Sequence, residues 1–118
     1  MKIYEGNRYP VVRVVVRDGT IIYPLIHVLR HSPDGFEWGY GGSGPADLAL
    51  SILTDYLGDQ EIAYKFYQAF KWAFIALFPH TEWKLSGDEI EQWFTSKYPF
   101  FTLNFNSSER SLQKPWQP

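Results

Sequence analysis

The chain has 118 residues, no cysteine and a formal net charge of −2. That length suits one domain with a core of its own. The missing cysteines exclude disulfides and thiolate-held metals, and the near-neutral charge argues against a basic nucleic-acid footprint. No run of 18 apolar residues and no signal-peptide pattern is present, so we expect a soluble, cytoplasmic protein with no membrane partner. Aromatic residues reach 19 %, with 9 Phe, 8 Tyr and 5 Trp. That surplus requires an aromatic core or an aromatic surface that something else covers.

In chain order, residues 1–5 read as a short strand and Gly6-Asn7-Arg8 as a turn. Residues 11–17, VVRVVVR, form a β-branched run whose Arg13 and Arg17 mark a solvent side. Asp18-Gly19 is a two-residue hairpin signal, returning through residues 20–23 to a stop at Pro24. Residues 25–34 are irregular. His27 and His31 are four apart, but Pro24 and Pro33 leave room for little helix, and no H-E-x-x-H pattern exists. We therefore expect no metal site, and His31 bonded to backbone in a turn. Asp34-Gly35 signals another turn.

The organising stretch is residues 31–57, HSPDGFEWGYGGSGPADLALSILTDYL. Phe36-Glu37-Trp38-Gly39-Tyr40 alternates large and small residues, the pattern of a half-buried strand. Gly41-Gly42-Ser43-Gly44 breaks it, and Pro45 fits a first helical turn. Ser43 or Gly44 is the expected N-cap, Asp47 the first-turn carboxylate that complements the helix dipole, and Gly58 the C-terminal stop. Leu48, Ala49, Ile52, Leu53 and Tyr56 share one apolar face.

Asp59 caps a second helix expected over residues 60–78. Its apolar stripe is Ile62, Phe66, Ala69, Phe70, Ala73, Phe74 and Leu77, widened by Tyr64, Tyr67, Trp72, Ile75 and Phe78. Residues 82–85 alternate as a last strand. Ser86-x-x-Glu89 is a capping box for a third helix to about Thr95, with Ile90, Trp93 and Phe94 as its apolar face. Asp88, Glu89 and Glu91 there read as dipole partners, not as acid–base pairs. The reading is α+β: a small antiparallel sheet with an N-terminal hairpin, packed against two to three helices, the second longest and central. Residues 1–97 form the domain. Residues 98–118 form an extended aromatic segment and a polar tail, anchored at Trp116.

The junction HSP-x-GFEWGYGGSGPA-x-LAL resembles the signature of a family of small, mostly bacterial and phage-associated proteins, domain of unknown function 6166. The resemblance runs from Lys2-Ile3-Tyr4-x-Gly6 through Asp55-x-Leu57-Gly58, Tyr67-x-x-Phe70-Lys71 and Trp83-x-Leu85 to about Trp93. It implies a shared fold and carries no catalytic residue with it.

A glycine-rich turn into a helix exposes backbone N–H groups and can hold an anion. The same glycines can also let Trp38 and Tyr40 pack over the helix start, and no P-loop Lys-Ser/Thr or G-x-G-x-x-G follows. We expect a non-enzymatic interaction or small-ligand/anion-binding module centred on residues 41–44. Its candidate site is His31, Trp38, Tyr40, Gly41, Gly42, Ser43 and Gly44, with no cofactor. The alternatives are a small enzyme using His31 with Asp34 or Glu37, and a purely structural phage-type accessory protein. The aromatic surplus points to a homodimer through Trp72 on the second helix, or through Phe101, Phe105 and Trp116 of the tail.

Overall fold

The structure is a computed structural model, and it describes residues 1–28, 31–32 and 35–99. Expectations on Asp34, Phe101, Phe105, Trp116 and the extended segment after Pro99 lie outside the described residues.

Four antiparallel strands form one sheet: β1 (Lys2–Asn7), β2 (Arg13–Asp18), β3 (Ile21–Pro24) and β4 (Glu82–Ser86), in the order β3-β2-β1-β4. Among the described residues three α-helices join the sheet in an α+β fold: α1 (Ser43–Leu57), α2 (Gln60–Ala73) and α3 (Gly87–Lys97). A 3-10 turn over Ile75–Leu77 prolongs α2, so the second helical segment is the longest.

Strand register follows the alternation of side chains. Tyr4 lies opposite Val16 and Leu85, and Gly6 opposite Val14 and Trp83. These residues make the buried face, with Arg13 and Arg17 exposed on the other. Arg17 Nε bonds Glu5 Oε2 across the strands at 2.5 Å. Gly6 and Asn7 belong to β1, not to the expected turn. The reason is Trp83, whose indole lies over Gly6 so closely that a Cβ there would fall 2.3 Å from the ring. The strand continues because its glycine leaves that space. The hairpin loop is Gly19-Thr20, one residue later than expected, since Asp18 still pairs with Ile21. Gly19 takes the left-handed backbone there, at φ 64°.

α1 takes the middle of the molecule. Leu48, Leu50, Ile52 and Leu53 are fully buried, and the helix is hidden on almost every side. Each such side chain contributes about 2 kcal/mol of burial. Gly58 ends α1 at φ 71°, and its N–H donates to Thr54 O at 2.8 Å. Asp59 follows at once as the N-cap of α2, accepting from Ile62 N at 3.0 Å. This two-residue connection turns α2 back along α1.

α2 buries Ala63, Tyr67, Phe70 and Lys71, a line rotated from the expected stripe. The flank bearing Phe66, Phe70 and Phe74 packs edge-on and tilted against Trp93, Phe94 and Tyr98. α3 therefore covers much of the aromatic surplus from within the chain. The Ser86–Glu89 capping box that starts α3 is present in both directions.

Candidate functional site

The residues 36–40 do not form a strand. Their alternation meets no partner strand, and Gly39 at φ 90° turns the chain while its N–H donates to Ile75 O at 3.0 Å. Trp38 points inward and is buried, donating from Nε1 to His80 O at 2.9 Å. It meets Trp83 edge-on at 5.7 Å, and Trp83 stacks on Phe78 at 4.2 Å.

Arg8, just past β1, closes over this wall. Its guanidinium carbon lies 4.6 Å from the Trp38 ring centre. Nη1 and Nη2 fork onto the two Glu37 oxygens at 3.1 and 2.9 Å, while Nε donates to His80 O at 3.0 Å. The hydrogen bond from Arg8 holds the Glu37 carboxyl below its ordinary range, and Glu37 in turn raises Arg8. Stacking plus a two-pronged bond fixes the arginine in one geometry. These groups, with Gly39, Tyr40, Phe78 and His80, line an open cleft of about 290 Å³. Tyr40 is 52 % exposed at its rim.

The sequence-predicted residues divide around this cleft. Trp38 and Tyr40 line it. Gly42 is the N-cap of α1, one residue before the expected Ser43 or Gly44: its extended backbone presents O to Ala46 N at 3.0 Å, and no side chain caps the helix. The Tyr40 ring lies over Gly42, the Trp72 ring fills the space a Cβ would need at Gly41, and Glu37 does the same at Gly44. Ser43 is the exposed first residue of α1. The glycine turn is thus covered by aromatic rings, and the open space lies at its entrance.

His31 sits elsewhere. Its Nε2 is 2.5 Å from Tyr67 Oη, with the two rings stacked at 5.5 Å, and its backbone N–H donates to Asp47 Oδ1 at 2.9 Å. Its described partners are Asp47 and Tyr67, while Glu37 is engaged by Arg8, so the structure does not pair His31 with Glu37. Asp47 is not a first-turn carboxylate. α1 starts earlier, which carries Asp47 into the interior with no exposed surface. There it also accepts from Ser32 N at 2.8 Å and faces His27 Nε2 at 3.2 Å. Asp47 therefore pins the irregular segment after β3, helped by Ser51 Oγ, which accepts from Val28 N at 2.8 Å. Among the described residues no three His, Cys, Asp or Glu side chains gather to hold a metal, and no helix is long and apolar enough to cross a membrane.

Arg8, Phe78 and His80 were not foreseen as site residues. Arg8 and His80 are 72 positions apart, and no local pattern joins them. A family model matches residues 4–96, the family of unknown function DUF6166. The chain belongs to this family. Neither the curated proteins nor the solved structures yield a match. The matched span contains every residue that lines the cleft, and it ends within α3.

Proposed function

We propose that this member of DUF6166 is a non-enzymatic binding module that takes a small planar ligand in the cleft at the entrance to the glycine junction. The observation that carries the reading is the preorganised wall: Arg8, Glu37 and Trp38 are locked to one another and to His80 O. A rigid wall binds with little ordering cost. The exposed Tyr40 ring offers a stacking face, and the Tyr40 hydroxyl and His80 imidazole are the polar groups left for a ligand. Glu37 is held as a paired carboxylate, which favours recognition over proton transfer.

A screen of nucleosides, nucleobases and other heteroaromatic compounds by protein NMR tests this. A binder is expected to shift the Trp38 indole N–H saturably. Tyr40→Ala and His80→Ala should each weaken it by about tenfold or more while leaving the fold intact, because both side chains are exposed. No binder at millimolar concentration would sink the reading and favour a structural accessory role. Support for the homodimer within the described residues rests on Trp72, 58 % exposed on α2, and light scattering on the full chain gives the mass that decides it.

A further inference from the structure

We propose that a half-covered apolar stripe on α2 is the docking site of residues 100–105 of the same chain. The stripe is what α2 has left over once it is packed on α1. The helix buries Ala63, Tyr67, Phe70 and Lys71. Beside that line Ile62, Ala69, Ala73 and Phe74 remain half-buried, and Leu77 just beyond them is 75 % exposed. Ile62, Ala69 and Ala73 recur at helical spacing, so they stack along one side of the helix. Apolar surface left in water there gains by being covered.

The occupant follows from where the chain leaves α3. Trp93 meets Phe74 at 6.2 Å, and Tyr98 meets Phe66 at 4.7 Å. α3 therefore runs antiparallel to α2, and its end delivers the chain to the first half of α2, beside the stripe. Residues 100–105 follow at once as FFTLNF, with Phe101, Leu103 and Phe105 apolar at every second position. That is the pattern of an extended segment with one apolar side. Its side chains on that side repeat about every 7 Å, and neighbouring positions on one side of a helix lie about 5–6 Å apart. The two rows stay nearly in step over three side chains. The short side chains of Ala69 and Ala73 leave room for the rings. Between Lys97 and Glu109 the sequence carries no charge, so covering the stripe with this segment strands no ion.

The same segment of a second copy competes at a disadvantage. The short tether through Pro99 holds the chain's own segment at an effective concentration on the order of millimolar, above the protein concentration of an ordinary sample. This docking does not depend on the cleft, and the two readings can fail separately.

The test is NMR on the full chain. Nuclear Overhauser contacts are expected from the Ala69 and Ala73 methyls to the rings of Phe101 and Phe105. In a sample that mixes isotope-labelled and unlabelled chains, those contacts are expected within one chain only. Charge is the second probe. Phe101→Asp combined with Phe105→Asp should lower the melting midpoint by roughly 5 °C or more. Ser107→Asp combined with Ser108→Asp adds the same charge beyond the docked segment and should leave the midpoint unchanged. Contacts that pass between chains would give the stripe to a second copy and overturn the proposal. So would the absence of any contact to these methyls, or a midpoint that the two phenylalanine substitutions do not move.

Discussion

Asp47 and Asp55 lie two turns apart on the same helix, and they tie it to different things. Asp47, near the start of α1, is fully buried and accepts from two backbone N–H groups of a distant segment, His31 and Ser32, with His27 beside them. Asp55, near the end, accepts from side chains of the sheet: Tyr4 Oη at 2.6 Å, Tyr23 Oη at 2.8 Å and Lys2 Nζ at 3.1 Å. One carboxylate holds an irregular segment that has no ladder of its own. The other fastens a sheet that is already held by its own register. The difference teaches which bond the fold can spare. Side chains that lose Asp55 leave their strands still paired, whereas a loop that loses Asp47 gives up the bonds that hold its backbone.

The comparison breaks first at Asp47. Asp47→Ala removes the buried acceptor of the His31 and Ser32 amides and is expected to cost about 3 kcal/mol, lowering the melting midpoint by roughly 10 °C. Hydrogen exchange should show those two amides losing protection ahead of the sheet. Equal loss everywhere, or a change below about 1 kcal/mol, would mean the loop has other anchors. Asp55→Ala should cost less, about 2 kcal/mol, because Lys2 and Tyr23 can turn to water and only the buried Tyr4 hydroxyl loses its acceptor inside. Its signature is early opening of β3 with the His31 and Ser32 amides still protected. If denaturant titration ranks Asp55→Ala as the worse variant, the assignment of the two roles is reversed.

What the sequence revealed follows the range of each interaction. The caps at Asp59, Gly58 and Ser86 were legible because a cap bonds within four residues. The sheet was legible from alternation, though the turn at Gly19 slid by one residue and Gly6 was assigned to a turn. Only the distant Trp83 ring explains why a glycine sits inside β1. Residues 36–40 carried a strand pattern without a strand. There the alternation reflects Trp38 turning inward toward His80 O and Arg8, contacts 42 and 30 positions away. Asp47 looked like a dipole partner because its residue type suits a helix start. Its real partners come from a segment whose path no local rule predicts. Trp38 and Tyr40 of the cleft were found through the glycine junction beside them, while Arg8 and His80 had no signal of their own.

The finest distinction between the two aspartates is a dependence on alkaline pH, and it belongs to Asp55 alone. Burial first, and then the nearby Asp55 charge, raises the hydroxyl of Tyr4 well above its ordinary value, and the same causes raise Tyr23. In the unfolded chain both ionise near pH 10. Below that pH both are protonated in either state, so their contribution is complete. Above it the unfolded chain releases protons that the folded chain retains. The unfolded state then binds fewer protons, and stability falls as pH rises. Melting midpoints measured between pH 8 and pH 11 should be flat and then decline. Tyr4→Phe removes one of the retained protons and should flatten the decline, with Tyr23→Phe adding a smaller change because that ring is more exposed. Asp47→Asn should leave the slope as it is, since neither tyrosine bonds Asp47. A wild-type midpoint that stays level to pH 11, or a slope that Tyr4→Phe does not alter, would show that the tyrosines at Asp55 lose their protons as readily in the folded chain as in the unfolded one.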